Sequence, residues 1–489
     1  MRLSKLIEDV GEYEIACKTA EWDREIDALS MDSRKNVSGS LFICVNGESV
    51  DSHTRVLEAE KNGAIAIVAE RIVQTSLPIV LVKDTRKALG RLASAFYGEP
   101  SKRLKIIGIT GTNGKTTTSY ILASILEAAG KKVGVIGTLG IAYAGKHISP
   151  TLTTPDALEL HACFADMVAE GIECVVMEVS AHALYYKKTE GIVFSACIFT
   201  NFTQDHLDFF KTMERYKKAK MSLFSSMDCP IAIVNGDDET GREIGRMREK
   251  NGLPVMFYGL TTPTDCFAII TESGLKGTDC VFNLNDKLYR ARIRLIGEYN
   301  VYNALAAGAC AEAMQCEKGI STGIYRVRNV CGRLQKVGAT HGAEIFVDFA
   351  HTPDGLKKSL ETLKKHCACR LVCLFGCGGN RDKSKRAIMG EIAAKYCDFS
   401  ILTSDNPRYE DPLDIIGEIE RGHRRFSNRY VIIPDRGKAI EYALDFVANG
   451  DILLITGKGG EETQEIMGIK YPFNDQNMVV KLLQQKGTM

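Results

Sequence analysis

The sequence predicts an α/β protein of three domains, and three observations carry that expectation. Short apolar runs of β type alternate with helix-patterned segments along nearly the whole chain, as in largely parallel sheets covered by helices. One run, Ile107-Gly108-Ile109-Thr110, breaks into Gly111-Thr112-Asn113-Gly114-Lys115-Thr116-Thr117 and then a helical pattern, the strand–loop–helix order of a phosphate-binding loop. Finally, 489 residues exceed what one hydrophobic core organises and suggest roughly three domains. The expected boundaries are 1–100 for a small N-terminal α/β domain, 101–330 for a central mononucleotide-binding domain, and 331–489 for a C-terminal Rossmann-like domain.

In 1–100, strands are expected at Ser40–Val45, Ala64–Val68 and Pro78–Val82. A helix follows over Thr85–Tyr97, closed by Gly98-Glu99-Pro100. In 101–330, strands are expected at Val133–Ile136, Cys174–Glu178, Ala196–Thr200 and Ile231–Asn235. The stretch Phe257–Leu295 reads as shorter antiparallel strands with turns, and Val301–Met314 as a helix. In 331–489 the alternation repeats with strands at Glu344–Asp348, Leu371–Phe375, Phe399–Thr403, Tyr430–Ile433 and Ile452–Thr456.

Bulk properties exclude some classes. Formal net charge is +1 with 25% charged residues, which gives no support for a nucleic-acid or membrane-surface partner. The first ten residues carry acids where a signal peptide would be apolar, and no apolar run approaches the ~20 residues that span a bilayer. A cytoplasmic protein is expected. Sixteen cysteines are then expected to be reduced. The densest group, Cys367, Cys369, Cys373 and Cys377, falls around a strand pattern that would turn alternate cysteines to opposite faces, so structural cysteines are expected rather than a zinc site.

Several segments bear chemistry. In the phosphate loop, Gly111 and Gly114 let backbone N–H groups point into one concavity, Lys115 adds a charge for the β/γ-phosphates, and Thr116 or Thr117 offers a hydroxyl to Mg²⁺. The usual first glycine, five residues before Gly114, is Ile109, so the loop is the shorter form. Glu178 ends a strand and is placed either to hold Mg²⁺ or to sit as a surface acid before a helix. His206 follows another strand, as a ligand or as a hydrogen-bonded loop residue. Lys217, Lys218 and Lys220 open a helix, and spacing alone does not single out Lys220. Four polar clusters follow strands of the last domain: Asp348–Asp354, Gly376–Asp382, Ser404–Arg408 and Gly457–Glu461. They would share the carboxyl edge of a parallel sheet, where such sheets bind ligands. Arg408 suits a two-pronged bond to a carboxylate.

Taken together, these motifs resemble the Mur ligase family over essentially the whole length, and most closely its branch that adds the third amino acid to the peptidoglycan precursor. The resemblance rests on Gly-Thr-Asn-Gly-Lys-Thr-Thr at 111–117, Met-Glu-Val-Ser around Glu178, and Asp-His-Leu-Asp around His206. It also rests on Ala-Lys at Lys220, Gly-Arg-Leu at 332–334, and Asp-Asn-Pro-Arg at 405–408. It implies an ATP-dependent ligase that joins meso-diaminopimelate to UDP-MurNAc-L-Ala-D-Glu, with ATP as co-substrate and two Mg²⁺ ions. It implies Thr116, Glu178, His206 and Lys220 as metal-holding residues, with Lys220 carbamoylated by CO₂. ATP would be met by the loop residues together with Asn303, Arg333, Asp348 and His351. The UDP substrate would be met by Ser33, Arg34, Thr153, Thr154, Ser180 and Lys188, and the amino acid by Asp405, Asn406, Pro407, Arg408, Gly457 and Glu461. A monomer without nucleic-acid or membrane partner is implied.

Three positions depart from the family pattern: Gly460 stands for a histidine, Lys188 for an arginine and Phe349 for a tyrosine. Two other readings remain open at this point. One is the same reaction with L-lysine, which lacks the distal carboxylate that Arg408 would grip. The other is a non-catalytic ATP-binding scaffold, which has no use for Glu178, His206 and Lys220.

Overall fold

The computed structural model describes residues 1–16, 21–47, 50–149, 152–225 and 229–486. One of the sixteen cysteines, Cys17, lies outside them. The chain divides into two compact units, the first made of residues 1–108, 131–197 and 222–230, the second of 109–130, 198–221 and 231–489.

The first unit begins with a five-stranded sheet in the spatial order Tyr13–Ala16, Ile79–Val82, Ala64–Ala69, Ser40–Ile43, Ala28–Ser30. All pairs are parallel except the first, where Tyr13 faces Val82. The helix Thr85–Phe96 is capped by Asp84, whose carboxylate accepts from the Lys87 N–H. Its Leu89 and Leu92 join Leu41, Val68 and Val80 in one core. Further along, Cys174–Glu178 runs parallel to Val133–Gly137. The latter turns back through Gly140–Tyr143 and Lys146–Ile148.

In the second unit, Ala232–Asn235, Val255–Gly259 and Cys266–Gly274 are parallel neighbours. The antiparallel strands Gly277–Leu284 and Lys287–Ile293 extend them. The expected antiparallel pairing holds from Cys266 on, but these strands are long, not short, and Val255–Gly259 pairs with Cys266–Gly274 in parallel. The helices Lys115–Ala128 and Tyr299–Ala313 belong to this unit. A six-stranded sheet follows in the order Gln335–Thr340, Ala343–Asp348, Ile452–Thr456, Leu371–Phe375, Phe399–Leu402, Tyr430–Ile432. It is parallel apart from its first pair. Its two faces carry separate cores: Cys373 and Phe375 pack with Leu356, Met389 and Ile419, whereas Val372 and Leu374 pack with Ile440, Leu444 and Val479. That alternation is the signature of a strand buried on both faces between helices.

The cysteine expectation needs a correction. Cys373 and Cys377 lie in the same core cluster, because they stand four residues apart and a strand's period of two puts evenly spaced residues on one face, not on opposite ones. Among the described residues, no helix is long and apolar enough to cross a membrane.

Candidate active site

The phosphate loop leaves the strand Lys105–Thr110 and enters the helix Lys115–Ala128. Gly114 sits at φ +87°, and a Cβ there would lie 2.4 Å from Asn303 Oδ1, so only glycine fits the turn. The loop is braced from several directions. Asn201 Oδ1 accepts from the Asn113 N–H at 2.9 Å, and Thr200 donates to the Asn113 carbonyl at 2.6 Å. Asn113 Nδ2 reaches Asp354 at 3.0 Å. Thr118 donates to Asn303 at 3.3 Å, and Asn303 donates on to Asn300. Asn303 is thus a brace for the loop.

Two lysine amines converge on one carbonyl. Lys115 Nζ donates to Gly111 O at 2.9 Å, and Lys220 Nζ donates to the same oxygen at 2.7 Å. Two amines held this close disfavour charging both at once. Lys220 is fully buried, 4.7 Å from the Tyr216 ring centroid. Burial, and then the charge of Lys115, hold its amine well below the ordinary lysine range, with Asp205 opposing them in part. Tyr216 in turn approaches Thr112 Oγ1 at 3.3 Å.

His206 sits at φ +55° beside buried Asp205, which accepts from the His206 N–H at 2.8 Å. His206 Nε2 and His351 Nε2 both face the second Asp205 oxygen, at 3.4 and 3.8 Å. Burial alone would raise the Asp205 carboxyl, but His206, His351 and Lys385 hold it below the usual range. Arg333 Nη2 donates to Thr116 Oγ1 at 2.9 Å, and its guanidinium lies 4.5 Å from the Phe349 ring centroid. Asp348 is buried, accepting from Leu334 N at 2.5 Å, Ala350 N at 2.9 Å and Ser359 Oγ at 3.1 Å. Burial pushes its carboxyl up.

In the first unit, the Glu178 carboxylate accepts from Thr138 N at 2.9 Å and Thr138 Oγ1 at 3.1 Å, and Thr138 Oγ1 meets Thr153 Oγ1 at 3.2 Å. Thr154 donates to the Glu178 carbonyl at 2.9 Å and accepts from Ser180 N at 3.0 Å. Lys188 pairs with Asp156 at 3.2 Å. Four of the expected substrate residues therefore surround or flank the Glu178 strand end. Ser33 and Arg34 are separate: Ser33 donates to Glu58 at 2.8 Å, and exposed Arg34 grips Asp32, drawing that carboxyl down to about 2. Among the described residues, no hydrogen bond or ion pair joins them to the Thr153–Lys188 group.

The last cluster is an interlocked set of loops. Buried Lys458 donates to Asn406 Oδ1 at 2.9 Å, Glu461 at 2.8 Å and the Thr463 carbonyl at 2.8 Å. Asn406 Nδ2 also meets Glu461 at 2.8 Å. Arg408, at φ +51°, donates from Nε to Glu465 at 3.1 Å and from Nη1 to the Gly379 carbonyl at 2.9 Å. A hairpin, Thr463–Ile466 with Ile469–Pro472, is tied to this loop by Arg408 N to Glu465 O and by Met467 N to Arg408 O. Gly457, at φ +114°, approaches Asp405 so closely that a Cβ would lie 2.5 Å from Oδ2. Beneath them Arg436 and Asp475 form a fully buried pair at 2.7 Å, and Arg436 also donates to the Ser404 and Thr456 carbonyls.

The sequence reading passed over Asp205, Thr138, Asn201, Tyr216, Lys458 and Glu465. Asp205 had a signal, since it stands beside His206 after a strand. The others are recognisable only from their partners.

Comparison with known proteins accounts for this pattern. Residues 25–97 match the Mur ligase family catalytic domain, 109–311 the Mur ligase middle domain, and 332–459 the Mur ligase glutamate ligase domain. The chain is 40% identical to the UDP-N-acetylmuramoyl-L-alanyl-D-glutamate–2,6-diaminopimelate ligase of Syntrophomonas wolfei, covering 99% of both chains. The chain belongs to the Mur ligase family. A second relative, the diaminopimelate ligase 1 of Clostridium acetobutylicum, is 42% identical with 98% of each chain covered. A solved diaminopimelate ligase shares 29% identity at a TM-score of 0.68, covering 96% of this chain and 97% of the other. A MurF ligase from Thermotoga maritima in complex with ADP, 20% identical with a TM-score of 0.63, shares the fold. As a Mur ligase, the chain has the three-part α/β architecture that its sequence predicts, and its phosphate loop lies in the segment matched to the middle domain.

Proposed function

We propose that this protein is a MurE-type ligase, which joins meso-diaminopimelate to the D-glutamate side-chain carboxylate of UDP-MurNAc-L-Ala-D-Glu with conversion of ATP to ADP and phosphate. The family membership and the full-length relatives make it an ATP-dependent amide ligase of peptidoglycan precursor synthesis. The observation that carries the chemistry is the convergence of the Lys115 and Lys220 amines on the Gly111 carbonyl.

The reaction begins with transfer of the γ-phosphoryl group to the substrate carboxylate. The resulting acyl phosphate is a carbonyl that the incoming amine attacks, releasing phosphate. Both partners of the first step are anions, so charge neutralisation and position dominate it. Lys115 and the loop N–H groups supply part of that charge, and Arg333 adds a cation beside Thr116. Mg²⁺, when bound, would supply further positive charge to lower the repulsion. The metal-holding roles that the resemblance implies for Thr116, Glu178, His206 and Lys220 are part of this proposal. The fit is supported by the Lys220 environment. A buried amine whose charge is disfavoured is the neutral form that adds CO₂, forming an N–C bond and releasing a proton to give an anionic carbamate.

For the amino acid, Arg408 is the residue that favours diaminopimelate over lysine. Its Nε and Nη1 are engaged by Glu465 and Gly379, which sets the direction of the guanidinium and leaves Nη2 for a ligand carboxylate. The division into 1–100 for the UDP end, 101–330 for ATP and 331–489 for the amino acid, the cytoplasmic location and the monomeric state belong to the same reading.

The deciding experiment is phosphate release from ATP with UDP-MurNAc-L-Ala-D-Glu, comparing meso-diaminopimelate, L-lysine and no amino acid. Release that requires diaminopimelate is the expected result. Dependence on lysine would keep the ligase and overturn the role of Arg408, and dependence on neither would overturn the function.

A further inference from the structure

The second unit holds a cavity of about 550 Å³ that shares no residue with the site described above. Its wall carries Lys276, Arg292, Arg294, Arg328 and Lys336, together with Tyr325. These residues come from four places in the chain: the turn before Gly277, the strand Lys287–Ile293 and its continuation, the end of the helix Ile320–Arg326, and the strand Gln335–Thr340. No acidic residue lines the cavity. A chain with a formal charge of only +1 therefore gathers five cations around one concavity, and folding, not composition, does the gathering.

Two of the five meet a carboxylate nearby, Arg292 with Asp279 at 2.9 Å and Lys336 with Glu344 at 2.5 Å. Lys276, Arg294 and Arg328 make no ion pair among the described residues. Arg294 lies over the Tyr325 ring, 5.1 Å from its centroid, which holds a planar multi-donor group at the wall. Like charges gathered this closely raise the energy of the folded chain unless an anion sits among them. The volume is in the range of small-molecule sites.

We propose that this cavity binds a small polyanion of the phosphate class, carrying several ionised phosphoryl groups, at a site distinct from the phosphate loop. The connector that brings Arg328 and Lys336 to the cavity also carries Arg333, which donates to Thr116 in the loop. An anion bound here lies a few residues of backbone from Arg333, and through that arginine's bond to Thr116 it is placed to alter the KM for ATP.

The test uses the full chain with excess ADP to fill the phosphate loop, titrated calorimetrically with inorganic tripolyphosphate. One tripolyphosphate per chain is expected, weakened at least tenfold in Arg292→Gln/Arg294→Gln/Arg328→Gln and weakened by salt in the wild type. Absence of binding to the wild type, or equal binding to the variant, would overturn the proposal. Lys276→Gln alone, at an exposed turn, keeps the test decisive if the triple variant is poorly folded; it is expected to weaken binding a few-fold and to leave phosphate release without tripolyphosphate unchanged. Co-sedimentation with phosphatidylglycerol vesicles separates a membrane surface from a free anion. Capture by vesicles without tripolyphosphate binding would overturn the small-molecule site. Because the readout is binding, a failure of the ligase assay would not be mistaken for a failure of this site.

Discussion

The phosphate loop and the loop cluster around Arg408 are both polar clusters beside parallel strands, but their charges are arranged in opposite ways. At the loop, two lysine amines crowd one backbone carbonyl. At the cluster, each cation meets a carboxylate: Arg408 with Glu465, Lys458 with Glu461, and Arg436 with Asp475. The first arrangement is electrostatically incomplete, since each amine disfavours the other's charge, and it is completed by an anion. The second is internally neutral and selects by shape and hydrogen-bond direction. A site that takes a polyanion benefits from stored repulsion, whereas a site that must tell two amino acids apart benefits from rigidity.

The most damaging change should fall on the charged site. Lys220→Ala is expected to lower phosphate release by about 10³-fold, as loss of a group stabilising transition-state charge does, with partial recovery on adding acetate. Full activity in this variant would show that the two-lysine arrangement is dispensable. At the neutral site the largest effect should be on stability. Asp475→Ala leaves the Arg436 guanidinium buried without its partner and is expected to cost about 3–5 kcal/mol in urea unfolding. A cost below ~1 kcal/mol would mean that the pair does not brace the cluster.

A subtler change tests selection directly. Glu465→Gln removes the charge that orients Arg408 and is expected to raise the KM for diaminopimelate about tenfold, near the 1.4 kcal/mol of one charge-assisted bond, with kcat much less affected. A fall in kcat at unchanged KM would place Glu465 in the chemistry instead. The smallest effect concerns pH. Since the Lys220 amine is held below its unfolded value, the unfolded chain binds more protons between the two values, and stability rises with pH across that window. The cost is full below the folded value and gone above the unfolded one. Lys220→Met should therefore stabilise the protein more at pH 7 than at pH 10 in parallel denaturant titrations. An equal gain at both would mean that the amine is charged in the fold.

How far the sequence could be read differs between the same two regions. The loop was legible because its signals are contiguous: a β run, two glycines, Lys-Thr and a helix within a dozen residues. The buried strands were equally clear, and Leu371–Phe375 and Cys174–Glu178 have the expected bounds. The short edge strands Tyr13–Ala16, Lys146–Ile148 and Thr463–Ile466 were not, since they are exposed or half-buried and lack an apolar face that marks a strand. Missing the last of these also hid Glu465. Lys458 was quoted only as part of a glycine turn, yet it is fully buried and ties three loops together.

The amino-acid sequence by itself determined the alternating α/β order, the phosphate loop and the residue types at each strand end, because periodicity, glycine conformations and helix starts are local properties. The tertiary structure decided which of those residues meet. Asn113 and Asp354 stand 241 positions apart, and Arg408 and Glu465 stand 57 apart. Such contacts depend on the order in which strands are laid into a sheet, and on burial that makes an unpaired polar group costly. Neither is written in any one stretch of chain.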